Sequence, residues 1–108
     1  MTRVEVVRKD GHIVSLKASG HTGYAEEGED IVCAALSSVI QTAVMGLLKV
    51  AGIDCKYVIF ETEGSLELEL SKLNNSDRHN ADMILDTMLC GIADLYEGYS
   101  DFIELEVK

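Results

Sequence analysis

The chain opens on a β-branched run, Val4-Glu5-Val6-Val7-Arg8, that predicts a strand. Asp10-Gly11 follows, a pair suited to a two-residue hairpin, and Ile13-Val14-Ser15-Leu16-Lys17-Ala18 returns as a second strand. Residues 20–29 break the pattern, with three glycines among the nine residues 20–28 and the acids Glu26, Glu27 and Glu29 near the tip.

From Asp30 the period becomes helical. Leu36, Ile40, Ala43, Leu47 and Val50 recur at three- and four-residue steps, with almost no charge before Lys49. A helix so apolar all round is expected to be largely buried. Asp30 is its expected N-cap and Gly52 its stop. Tyr57-Val58-Ile59-Phe60 predicts a third strand, Glu63-Gly64 a turn, and the alternating Ser65-Leu66-Glu67-Leu68-Glu69-Leu70 a fourth strand with one solvated face. A second helix opens at Asn74-Asn75-Ser76-Asp77, with Asn75 or Ser76 as cap, and ends at Gly98. Its apolar stripe is Ala81, Ile84, Leu85, Met88, Leu89, Ile92, Leu95 and Tyr96. The last strand, Phe102 to Val107, turns Glu104 and Glu106 outward.

Proline is absent, so glycine and Asx residues carry the punctuation. The order ββαββαβ predicts an α/β (α+β) two-layer sandwich, one mixed sheet with both helices on one face. The strand order is not legible in the pattern.

At 108 residues, the chain is read as one domain, 1–108. No apolar run is expected to reach the roughly 20 residues of a membrane helix, and the first residues read as a strand rather than a signal. A soluble cytoplasmic protein with no membrane partner is the expectation. The formal charge of −10, from 19 acids against 9 bases, argues against nucleic acid and favours a cationic partner. Three cysteines, Cys33, Cys55 and Cys90, leave an odd thiol and suit a reducing compartment. Neither Cys-x-x-Cys nor His-x-x-x-His occurs, so no metal and no cofactor are expected.

Cys33 carries the strongest candidate chemistry. With Asp30 as cap it occupies the third helical position, where unpaired N–H groups and the helix dipole favour an anion. A thiol so placed can have its pKa lowered from about 8.5 toward roughly 3.5–7.5, and the same N–H groups can receive an oxyanion. Ala34 and Ala35 leave room for a substrate backbone. His21 ends the second strand twelve residues earlier, and a Cys–His pair is the minimal arrangement for thiol-based acyl transfer. The same residues also fit a cysteine packed as a small hydrophobe and an exposed loop histidine. Cys55 and Cys90 read as packing residues, and His12 and His79 as structural or solvated. The acidic loop would repel phosphate and reads better as a mobile flap over the thiol.

Gly20-His21, the acidic glycine-containing loop, and Gly28-x-Asp30-Ile31-Val32-Cys33-Ala34-Ala35-x-Ser37 together resemble the signature of the ribosomal-processing cysteine protease family. Ala81-Asp82-Met83-Ile84-Leu85-Asp86-Thr87-Met88-Leu89 resembles that family's second helix, so the resemblance spans essentially the whole chain. It implies a cytoplasmic endopeptidase that removes a short N-terminal extension from a large-subunit ribosomal protein precursor, cutting after paired aromatics. It places the nucleophile on Cys33 and the catalytic histidine on His21. Asp30 and Ser37 take supporting roles, and residues 22–29, including Thr22, Gly23, Tyr24 and Gly28, form a flap. It further implies a homodimer. The chain departs from the family's usual residues at Thr22, after the histidine, and at Met45 in the first helix. Two other readings share the fold: a non-catalytic ribosome-associated or adaptor module, and a thiol enzyme of another reaction class.

Overall fold

The computed structural model describes residues 1–20, 29–60 and 64–108, with Glu29 and Asp30 described by backbone alone. Its elements are β1 (Thr2–Lys9), β2 (His12–Ser19), α1 (Glu29–Met45) running into a π-helical turn (Gly46–Val50), β3 (Lys56–Phe60), β4 (Ser65–Glu69), α2 (Asn75–Gly98) and β5 (Ile103–Val107). The expected ββαββαβ order and mixed sheet are present. The sheet runs β3-β4-β2-β1-β5, with β1 and β5 parallel and the other pairs antiparallel. β5, last in sequence, therefore lies beside β1, first in sequence.

Alternation decides which side chains enter the core. Val4 and Val6 of β1, Leu16 and Ala18 of β2, and Leu66 and Leu68 of β4 are buried in register with one another. The helices cover that face through Val32, Leu36, Ile40 and Leu47 from α1 and its π turn, and Ala81, Leu85 and Ile92 from α2. Each such valine, leucine or isoleucine side chain, fully buried, contributes about 1.5–3 kcal/mol. Asp10 (φ 55) and Gly11 (φ 81) form the β1–β2 turn, both with the positive φ a type I′ turn requires.

Four expectations change. The run Ile31–Val50 is 20 residues and holds an 18-residue window with a mean hydropathy of 2.0, long and apolar enough by length and composition to cross a membrane, contrary to the reading that no such run exists. Nor is this helix largely buried: only 33% of that window is, and Ile31, Met45, Leu48 and Val50 are exposed. In a two-layer sandwich α1 has the sheet beneath it and α2 beside it, so among the described residues no further layer covers its outer face. On α2 the cap is Asn74, not Asn75 or Ser76; its Oδ1 accepts the Asp77 N–H at 2.8 Å. The cap position goes to the residue whose side chain reaches the N–H three positions on, and Asn74 does so. Tyr96, read as part of the α2 stripe, is 38% exposed beyond the last core contact of that helix.

Gly52 stops α1 as expected, with φ 65 just after the Ala51 cap. The closing bond, Ile53 N–H to the Leu47 carbonyl at 2.8 Å, spans six residues, one more than a Schellman closure. The extra residue follows from the wider π turn at Gly46–Val50.

Candidate active site

Val32 and Leu36, 1% and 0% exposed, clamp α1 onto the sheet. Cys33, one step round the helix from Val32, is thereby carried to the start of β1 and is half-buried. Its Sγ lies 3.0 Å from the Oγ1 of Thr2, which is 0% exposed. Thr2 is held in turn by its N–H, which donates to the Phe102 carbonyl at 2.8 Å, and by parallel pairing with Ile103. The thiol is thus referenced to the parallel pair β1–β5 at one side of the sheet, not to its own helix alone.

The end of β2 arrives at the same place. Gly20 has φ 106, and a Cβ added there would stand 2.3 Å from the Met1 carbonyl oxygen and 3.3 Å from the Thr2 Cα. Only glycine lets the two backbones approach so closely. Gly20 and Cys33 therefore share Thr2 as a neighbour, and the next residue after Gly20 is His21. His21 itself, with Thr22, Gly23, Tyr24 and Gly28 of the expected flap, lies outside the described residues.

Two site expectations need correction. α1 begins at Glu29, so Asp30 is its second residue rather than its cap, and Cys33 is its fifth rather than its third. Acidic residues are favourable throughout the first helical turn as well as at the cap, so Glu29-Asp30 extends the helix backward past the apolar periodicity. In a helix that opens at Glu29, the N–H groups without an intrahelical acceptor extend to Ile31, two residues before Cys33. Cys90, read as a packing residue, is exposed on α2.

Cys55 is half-buried and packs against the core. Burial, and then the neighbouring Asp54 charge, push its thiol pKa above the ordinary range. His12 is structural: its Nδ1 lies 2.6 Å from Asp82 Oδ2, and Arg78 bonds both Asp82 and the Ile13 carbonyl, tying α2 to the hairpin. His79 is solvated. Ser37 sits half-buried one turn beyond Cys33. Met45 is exposed at the end of α1, away from the core.

Thr2 is the site residue that sequence reading missed. Its signal was present: the inward row of β1 reads Thr2, Val4, Val6, and a hydroxyl at a core position needs a partner.

Residues 1–104 match the family model described as cysteine protease Prp. The chain is 29% identical over 93 residues, 85% of its length and 83% of the relative's, to the ribosomal processing cysteine protease Prp of Bacillus subtilis. It is similar to two solved structures of an essential ribosomal processing protease Prp from S. aureus. One, in complex with a substrate peptide, is 25% identical with a TM-score of 0.90; the other, with a covalently linked product peptide, is 28% identical with a TM-score of 0.84; both matches cover 100% of either chain. Since the family match runs through every element up to the second residue of β5, the chain belongs to the cysteine protease Prp family.

Proposed function

We propose that this cysteine protease is a ribosomal-processing endopeptidase that removes the N-terminal extension of a large-subunit ribosomal protein precursor, with Cys33 as nucleophile and His21 as base. The family match over nearly the whole chain carries the reading. The convergence of Cys33, Thr2 and Gly20 at one corner of the sheet supports it, because the chain enters His21 from that corner. So does the relative whose product peptide is covalently linked.

In this reading His21 takes the Cys33 proton and the sulfur attacks the scissile carbonyl carbon. Collapse of the tetrahedral intermediate breaks the C–N bond, and His21 returns the proton to the leaving amine. Water then hydrolyses the thioester, releasing the acid and restoring the thiol. N–H groups of the first turn of α1 are available to the oxyanion. Asp30 and Ser37 support the first two turns, residues 22–29 close over the thiol, and the enzyme works in the cytoplasm as a homodimer without nucleic acid or cofactor.

Incubation with the producing organism's own ribosomal-protein precursor, read by mass spectrometry, tests this. Wild type should give one cut after paired aromatics, whereas Cys33→Ser and His21→Ala should leave the precursor intact with thermal midpoints near wild type. An active Cys33→Ser would favour an adaptor with a contaminating protease, and an active His21→Ala would assign the base elsewhere.

A further inference from the structure

We infer that Thr2 is a positioning residue for the Cys33 sulfur, its buried hydroxyl holding the sulfur on the β1–β5 corner through the catalytic cycle. The inference rests on the reading of Cys33 as nucleophile. Three observations carry it. Thr2 Oγ1 is 3.0 Å from Cys33 Sγ, within the range for a sulfur hydrogen bond. Thr2 is a polar residue with no exposed surface in the inward row of β1 with Val4 and Val6, beside the buried Ile103 of β5. Its main chain is locked by the 2.8 Å bond to Phe102 and by pairing with Ile103, so the hydroxyl cannot follow the sulfur away without breaking the edge of the sheet.

The direction of that hydrogen bond follows from the chemistry. A thiol can donate to the hydroxyl, but a sulfur that has lost its proton has nothing to donate, so the threonine O–H must then point at it. The sulfur is in that state twice in each turnover: before it attacks the carbonyl, and when the C–S bond of the thioester breaks and the electron pair returns to sulfur. Between these events the sulfur is bonded to the acyl carbon and the hydroxyl makes only a weak contact. Thr2 therefore acts on the steps in which charge enters or leaves the sulfur, and not on peptide binding.

Thr2→Val keeps the β-branched shape in the strand and removes only the hydroxyl; Thr2→Ser keeps the hydroxyl. The readouts are kcat and KM on the precursor, and the rate of Cys33 alkylation measured against Cys90 in the same sample. Thr2→Val is expected to lower kcat about ten- to hundredfold, the loss one hydrogen bond to a charged group produces. KM should change little, the Cys33 alkylation rate should fall, and Thr2→Ser should restore all three. Should Thr2→Val destabilise the protein, Thr2→Ala against Thr2→Ser at a temperature where both are folded gives the same comparison. Unchanged kcat and alkylation in Thr2→Val, or a Thr2→Ser as impaired as Thr2→Val, would overturn the inference. A full-activity Cys33→Ser would instead overturn the nucleophile assignment, so the two failures are distinguishable.

Discussion

The two ends of α1 each hold a half-buried cysteine, and their surroundings are opposite. At the N-terminal end, Cys33 meets a buried hydroxyl at 3.0 Å, and the positive end of the helix dipole lies one turn away. Past the C-terminal end, Cys55 follows Gly52-Ile53-Asp54, where burial and then the Asp54 carboxylate disfavour an anion. That both are half-buried thus does not by itself decide what each cysteine can do. What differs is the polar group each sulfur can reach, and that is set by which strand end lies beside it.

Each end also carries a glycine at positive φ, which gives the largest expected contrast. Gly20→Ala forces a Cβ to within 2.3 Å of the Met1 carbonyl oxygen, so β1 or β2 must shift. The expected loss is roughly 3 kcal/mol or more together with most of the activity, because Thr2 moves with Met1. Gly52→Ala, at φ 65 with open space around the added atom, should cost about 1–2 kcal/mol and leave turnover unchanged. Thermal melts paired with cleavage rates check both; a Gly20→Ala enzyme of full activity would detach the close approach from the site.

A smaller contrast lies in the thiols themselves. Brief iodoacetamide treatment at neutral pH with peptide mapping should label Cys33 fastest, exposed Cys90 at the rate of an ordinary surface thiol, and Cys55 slowest. Since burial and Asp54 raise the Cys55 pKa, its labelling should remain low through the range where an ordinary thiol ionises and rise only at higher pH. Asp54→Asn should bring that rise to lower pH. Cys55 labelling as fast as Cys33 at neutral pH would remove the distinction between the two helix ends.

The smallest effect expected is electrostatic. On the open face of the sheet Arg3 bridges Glu5, Glu104 and Glu106, so part of the acidity is internally compensated. Glu26 and Glu27 precede Cys33 in the chain and are candidates to steer a basic precursor. Screening over about 8 Å at physiological ionic strength should lower kcat/KM as salt rises, with kcat little changed. Replacing both with Gln should flatten that response by a few-fold, whereas Asp54→Asn at the other end of α1 should not. Identical salt responses for a basic and a charge-neutral substrate would make the acidity a matter of solubility alone.

The order of elements, the hairpin at Asp10-Gly11, the alternation of β4, and the Gly52 stop were all legible because each depends on local period or on one residue's allowed φ. So was the family, from Gly20-His21 and the run around Cys33. The burial of α1 was not, since periodicity reports how apolar a face is and not whether a second layer covers it. The helix starts moved for a related reason: acids and amides suit several positions of a first turn, and only the closed backbone selects Glu29 and Asn74.

The strand order was decided by tertiary structure, and with it the surroundings of the thiol. Placing β5 beside β1 fixes the Thr2 backbone through Phe102 and Ile103, and clamping Val32 and Leu36 onto the sheet brings Cys33 to that fixed point. Cys33 could be named from the sequence because a family signature is a string of neighbours. Thr2, 31 residues away along the chain, could not be paired with it, because a hydrogen bond between distant residues exists only once the sheet has closed.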